Sequence, residues 1–355
     1  MTLQTILLTL LLTALSGAGG LVAAGLHLPL PFMLGSLVTS GLIALFAAPR
    51  LPDDYRFPMK FRALFMIIIG VMIGTRVTPD VLGALPGYLP SFALLIVFVA
   101  AAHGVNYVIF RRLGRYDPAT AFYSATPGGL MESLAMGEEA GANVAILTMQ
   151  QFLRIIAVIV LVPVGLSLWY GAPVGSASGQ TLASADGDLS TLPLALVIGA
   201  AGLFIGRAIR LPAAQLTGPL LAAAAVTVSG LVALPIPQWA INLAQVVVGT
   251  SLGMRFAGLK GRTMLRASGL SVLSVSAMLA LGLICARILQ PVTGLELDVL
   301  LISFAPGGVT EMALVALSLH ANPAIVTMHH IFRIILTVVE MTLAARWLKP
   351  QHRPE

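Results

Sequence analysis

The stretches SATPGGLME (residues 124–132) and SFAPGGVTE (residues 303–311) set Pro-Gly-Gly and a carboxylate at the same spacing inside two apolar segments. Proline removes a backbone donor and clashes with the preceding helical turn, and paired glycines admit positive φ. Each stretch therefore predicts a broken helix. An offset of 179 residues carries Ser124, Pro127, Gly128, Gly129 and Glu132 onto Ser303, Pro306, Gly307, Gly308 and Glu311. The same offset carries ANVAILTMQQFLRII (142–156) onto ANPAIVTMHHIFRII (321–335), with nine identities in fifteen positions, and GVMIGTR (70–76) onto GTSLGMR (249–255). Nearer the start of each half the offset becomes 183, placing LPLPFMLGSL (28–37) on LPAAQLTGPL (211–220). Offsets that hold over such lengths read as a tandem duplication.

The surroundings of these stretches fix the class. Of 355 residues, 58% are hydrophobic and 10% charged, and the mean hydropathy is +0.96. Soluble domains are about a quarter charged. Apolar runs long enough to span a bilayer recur along the chain, which predicts an all-α polytopic membrane protein with the lipid bilayer as its surroundings. No polar stretch is long enough to bury a core of its own. The net charge of +6 sits in short loops between apolar runs, so it points to membrane orientation and not to nucleic acid. Cys285 is the single cysteine, which excludes an internal disulfide and a metal site built on several thiolates. The opening MTLQTILLTLLLTALSGAGG lacks a basic leader region. It has a partner in the second half and is read as a mature transmembrane helix.

Each half holds six apolar segments, near 3–25, 30–48, 62–79, 87–110, 118–138 and 143–168, then 192–209, 212–233, 239–256, 267–288, 298–317 and 322–347. The expected organisation is a first membrane repeat over 1–170, a polar linker over 171–191 and a second repeat over 192–355. Basic clusters lie at 50–62, 111–115, 207–210, 255–266 and 346–353. With five crossings per half, all five clusters fall on one side and the acidic linker on the other, as the positive-inside rule favours. The expectation is two inverted-topology repeats, each with five spanning helices and one re-entrant or broken PGG segment. Both termini are expected in the cytoplasm. Interrupted segments in inverted repeats are a common plan of secondary transporters.

Broken backbone at membrane depth survives only where protein or a water-filled cavity satisfies it. The half-helices after the breaks should begin near Leu130 and Val309, with amides that form a ready anion site. Pro127, Gly128, Gly129, Pro306, Gly307 and Gly308 are therefore candidate substrate-binding residues. Glu132 and Glu311 fall in the first turns of those half-helices. Self-capping and a proton- or cation-carrying role both stay open for them, since an intramembrane carboxylate costs roughly 2.5–3.5 kcal/mol to insert. Arg154 and Arg333 lie about 16 Å into the following helices. There they can form a structural ion pair with Glu132 or Glu311, or grip an anionic solute as a guanidinium fork. Glu340 follows Arg333 by seven residues and replaces Leu161 of the first half; it reads as a local counter-ion or part of a proton path. Asn143 and Asn322 read as N-caps, and Gly70, Gly74, Gly249 and Gly253 as close-packing faces that also allow a homodimer. His329 and His330 point to different helix faces, so no shared metal site is expected.

The duplicated S-x-x-P-G-G-x-x-E and A-N-x-A-I-x-T-M-x(4)-R-I-I motifs resemble the AbrB family of bacterial inner-membrane proteins, in its internally duplicated form. The likeness covers essentially the whole chain. It implies a bacterial inner-membrane, multi-pass protein of a family named as candidate transporters, which also carries regulator and ammonia-monooxygenase labels. A small soluble DNA-binding regulator of the same name is a different protein. The resemblance supplies no catalytic residues and no cofactor. The expected function is secondary transport of a small anionic organic solute, with proton coupling open and no enzyme activity. The alternatives are a membrane regulator of gene expression and an ammonia-monooxygenase-like enzyme; the six scattered histidines give the latter no ligand set.

Overall fold

The computed structural model of the chain describes residues 2–28, 30–47, 51–52, 55–171, 191–256, 261–319 and 321–345. Arg50, Lys260, the 346–353 cluster and the linker from 172 to 190 lie outside them. The described regular elements are all helical. In chain order they are α1 (Leu3–Gly25), α2 (Pro31–Phe46), α3 (Met59–Gly74), α4 (Pro79–Ala84), α5 (Leu89–Val108), α6 (Pro118–Ala125), α7 (Leu130–Glu139), α8 (Val144–Tyr170), α9 (Leu192–Ala208), α10 (Ala214–Val228), α11 (Gln238–Gly253), α12 (Gly261–Thr293), α13 (Leu297–Phe304), α14 (Val309–Ser318) and α15 (Pro323–Ala345). A 3₁₀ turn joins α4 to α5, and a π turn extends α5 to Leu113. Among the described residues, five stretches are long and apolar enough to cross a membrane: Leu3–Gly25, Pro79–Leu113, Val144–Tyr170, Met264–Thr293 and Pro323–Ala344. Apolar side chains such as Leu7, Leu11, Phe204 and Leu265 are exposed on helix surfaces, where a hydrocarbon solvent favours them.

Two compact units form. One comprises Met1–Gly83, Val160–Lys260 and Ala313–Ala324, the other Ala84–Ile159, Gly261–Met312 and Ile325–Glu355. Each draws segments from both halves of the sequence.

The first unit packs short helices through small residues. Its α2, α3, α9, α10 and α11 have 15–17 residues, roughly 23–26 Å each. Gly249 lies on the Met33 carbonyl and the Ser36 hydroxyl, and Gly253 on the Leu37 carbonyl and the Ser40 hydroxyl. Gly70 lies on the Leu216 carbonyl and Pro219, and Gly74 on the Leu220 carbonyl and Ala223. These contacts are reciprocal. The glycines are related by 179 residues and their partners by 183, so α3 meets α10 as α11 meets α2. Within each half, Gly19 closes on Gly35 and Gly202 on Gly218. The turns repeat as well: His27 and Leu30 before α2, and Arg210 and Ala213 before α10, all hold positive φ, at 53°, 47°, 56° and 49°. A strained backbone in non-glycine residues persists only when its surroundings fix it. Here the same turn is fixed twice.

The second unit holds both Pro-Gly-Gly breaks and the helices around them. The expected apolar segment 118–138 is split into α6 and α7, and 298–317 into α13 and α14. The second half of α14, from Ala313, counts with the first unit.

Candidate functional site

The breaks follow from local chemistry. Asp117 caps α6 by accepting from the Thr120 amide at 2.9 Å, and Pro118 occupies the first turn. The helix stops at Ala125, ahead of Pro127, and α7 starts at Leu130 after Gly129, whose φ is 62°. The second break runs from the end of α13 at Phe304 to the start of α14 at Val309. Both half-helices therefore begin where the sequence places them. In a continuous helix the amide of residue 127 would serve the Tyr123 carbonyl, and that of residue 306 the Ile302 carbonyl. Proline has no such hydrogen. Gln151 replaces it in the first half, its Nε2 donating to the Tyr123 carbonyl at 2.9 Å. His330, at an offset of 179, replaces it in the second, its Nε2 donating to the Ile302 carbonyl at 3.0 Å.

The arginines extend the same scheme. The Asn143 and Asn322 side chains accept from the Ile146 amide at 3.1 Å and the Ala324 amide at 2.9 Å, and so start α8 and α15. These helices bring Arg154 and Arg333, 5% and 1% exposed, to the breaks. Arg154 Nη1 donates to the Thr126 carbonyl, and Arg333 Nη1 to the equivalent Ala305 carbonyl. Arg333 Nη2 also donates to the Gly307 carbonyl and to His330 Nδ1, both at 2.7 Å. It reaches the first motif too: a Cβ on Gly128 would stand 3.5 Å from its Nε. One guanidinium thus touches both breaks, and Arg154 lies within its electrostatic range. The Nε atoms of both arginines are buried without a partner.

The neighbouring polar residues pair across the halves. Ser271 on α12 donates to Gln150 Oε1 at 2.5 Å, and Ser91 on α5 lies 2.7 Å from His329 Nε2. Gln150 and His329 are offset equivalents, and the two serines are 180 residues apart. Gln150 Nε2 also reaches the Tyr116 hydroxyl at 2.7 Å. Burial pushes that phenol up, and the Gln150 bond opposes the shift. His329 stacks on Phe92 with centroids 4.4 Å apart, away from the bonds of His330. Among the described residues, no three His, Cys, Asp or Glu side chains gather at metal-ligand spacing.

The model of the family described as "Transition state regulatory protein AbrB" matches residues 41–349. The chain belongs to the AbrB family. A Bacillus subtilis (strain 168) protein named "Uncharacterized protein YhjN" is 27% identical over 98% of this chain and 95% of its own. An Escherichia coli (strain K12) protein named "Putative regulator AbrB" is 23% identical over 91% of each.

The carboxylates of this AbrB-family chain are placed unequally. Glu311 is 4% exposed, and its carboxylate folds back onto Gly308. Glu132 is half-buried, with Oε2 3.4 Å from where a Cβ on Gly129 would stand. The N-cap of α7 is Gly129, which has no side chain to cap the helix. Arg154 takes a carbonyl and not Glu132 as its acceptor. Glu340 turns to His103, with Oε1 3.0 Å from Nδ1. Sequence reasoning missed His103. Its signal was a lone imidazole in an apolar run of α5 whose equivalent in the second half, at the offset of Ser91 and Ser271, is Leu283. It also missed Thr126, whose hydroxyl joins Ser133 at 2.7 Å and Gln151 at 2.8 Å and adds a polar lining to the first break.

Proposed function

We propose that this AbrB-family protein is a secondary transporter of a small anionic organic solute and not an enzyme. The observation that carries the reading is the pair of buried guanidiniums held at two broken helices. Each cation costs several kcal/mol inside a membrane, and carbonyl dipoles return only part of that. Two cations in mutual range leave a deficit of negative charge, which a carboxylate or phosphonate fills. The amides that open α7 and α14 favour the same charge. Pro127, Gly128, Gly129, Glu132 and Arg154 of the first half, with Pro306, Gly307, Gly308, Glu311 and Arg333 of the second, line the solute site. Glu132, Glu311 and Glu340 are the groups available to carry a proton.

The membrane arrangement belongs to the same proposal. Two repeats, 1–170 and 192–355, joined by the 171–191 linker, each cross five times in the bacterial inner membrane. Their PGG segments enter from opposite faces, and both termini are cytoplasmic. The reciprocal glycine contacts and the one-sided basic clusters support this. No cofactor and no nucleic acid is required; a homodimer is compatible.

The test is a melting-temperature panel on the purified full-length protein, with carboxylates, amino acids, phosphonates, ammonium, sodium and copper. A ligand of the folded state at a hundredfold excess over Kd stabilises by about 2.7 kcal/mol. One class of organic anion should stabilise the protein, and Arg154→Gln should abolish the effect. No stabilisation by any anion defeats the reading. A membrane regulator is the second reading, favoured by the printed name of the Escherichia coli relative; a soluble protein that co-purifies at fixed stoichiometry supports it.

A further inference from the structure

We infer that His103 and Glu340 form a binding site for one exchangeable proton, the coupling proton of the transporter proposed above. The inference rests on that reading for its role but not for its chemistry. His103 Nε2 lies 3.0 Å from the Phe122 carbonyl. A carbonyl can only accept, so Nε2 carries a hydrogen. That leaves Nδ1 facing Glu340 Oε1 at 3.0 Å. A neutral imidazole with its hydrogen on Nε2 has a lone pair at Nδ1, and an ionised carboxylate also offers only lone pairs. They do not bond to each other at that distance. One added proton resolves the conflict, as imidazolium with carboxylate or as imidazole with carboxylic acid. Both forms are neutral as a pair. Removing the proton leaves one net negative charge on a pair whose histidine side chain is 3% exposed and whose glutamate side chain is 29% exposed.

The pair is not a requirement of the fold. The bonds at the breaks come in equivalent pairs, Gln151 with His330 and Arg154 with Arg333. At the 180-residue offset that relates Ser91 to Ser271 on the same two helices, His103 falls on Leu283; Glu340 falls on Leu161. The equivalent positions are both apolar, whereas His103 and Glu340 set a titratable pair between apolar helices. Such a group in a membrane segment marks a functional site by default.

The position links the proton to the solute site. His103 holds the Phe122 carbonyl, and Asn106, one turn on, holds the Ala125 carbonyl at 3.3 Å. Both acceptors belong to α6, which ends at the first break. Glu340 lies on α15, two turns after Arg333. When the proton leaves, the bare carboxylate and Nδ1 repel, unless the ring hydrogen moves to Nδ1 and the Phe122 bond is lost. Either change pulls on α6 or on α15, the elements that build the arginine site.

Other titratable groups lie on the surrounding elements. They are Tyr107 on α5, Tyr123 on α6, Glu132 and Glu139 on α7, Arg287 on α12 and Arg333 on α15. A readout specific to His103 keeps them out of the measurement. The experiment is ¹⁵N-histidine NMR of the full-length protein in lipid nanodiscs across about pH 5 to 8, the range in which histidines commonly change charge. The His103 resonances are assigned by their loss in His103→Gln. In the unsubstituted protein Nδ1 should pass from protonated or strongly hydrogen-bonded at low pH to a free lone pair at high pH. In Glu340→Gln the transition should move to lower pH, because the carboxylate charge is gone and the amide can donate to the neutral Nδ1. A His103 signal that does not move in the unsubstituted protein overturns the inference, as does the same transition persisting at an unchanged midpoint in Glu340→Gln. If Glu340→Gln fails to fold, infrared spectra of the ¹³C-glutamate-labelled unsubstituted protein decide. The carboxyl bands must change with the same midpoint as His103, and an unlinked change overturns the site. None of these readouts needs a solute, so a failed ligand panel defeats the transporter reading and leaves the proton site to its own test.

Discussion

Replacing each arginine by methionine separates what the fold asks of it from what the solute asks. Methionine is unbranched, adapts to irregular cavities and has no donor. Both arginines are buried, so both variants gain similar relief from no longer burying a charge. That shared gain cancels in a comparison. What differs is the set of acceptors left behind. Arg154→Met strands the Thr126 carbonyl. Arg333→Met strands the Gly307 carbonyl and His330 Nδ1, while the Ala305 carbonyl keeps the Gly307 amide at 2.9 Å. A buried acceptor without a donor costs about 1–3 kcal/mol. The second variant should therefore be the less stable by about 1–3 kcal/mol, the cost of one further stranded acceptor. Reversible unfolding of the full-length protein in mixed detergent micelles measures the difference. Equal losses, or a larger loss for Arg154→Met, would refute the reasoning that the arginines act first as donors to broken backbone. The same asymmetry makes Arg154 the cleaner residue for a binding test.

Packing predicts opposite signs for one chemical change. Gly74→Ala sets a Cβ 2.7 Å from that of Ala223 and should destabilise by about 1–3 kcal/mol. Gly104→Ala and Gly269→Ala meet nothing within 4 Å and should stabilise their helices by up to about 1 kcal/mol; the same unfolding assay checks all three. Gly129→Ala forces a side chain into φ 62° and should cost about 1–2 kcal/mol, read as a lowered unfolding midpoint. Ser271→Ala strands Gln150 Oε1 and should cost about 1–3 kcal/mol; with Gln150→Leu added, a double-mutant cycle should recover most of the loss.

The breaks were legible to the residue because proline and glycine act locally. Leu130 and Val309 open their half-helices where Pro-Gly-Gly demands it. The duplication was legible as two offsets, and those offsets reappear in Gly249 on Met33 and Gly70 on Leu216. Crossing number was less legible, because α2, α3 and their equivalents are short and pack through small residues that hydropathy does not distinguish from lipid-facing ones. The partners of the charges were also hidden. Sequence shows which side chains carry charge, so it suggested Arg–Glu pairs. It does not display the carbonyls that a break sets free, and these are the acceptors that Arg154 and Arg333 take. His103 was hidden because pairing α5 with α15 is a tertiary fact.

That scheme also limits what structure alone explains about the arginines. Thr126 and Ala305 differ in side chain, yet an arginine meets the carbonyl at both. The requirement therefore sits in the backbone, and at Thr126 one neutral donor would satisfy it. Gln151 meets just such a requirement at Tyr123 without a charge. A full cation at both positions, each with a buried Nε left over, exceeds what the broken backbone needs. The excess is positive charge beside two helix N-termini, and it is the ground on which an anionic solute is proposed.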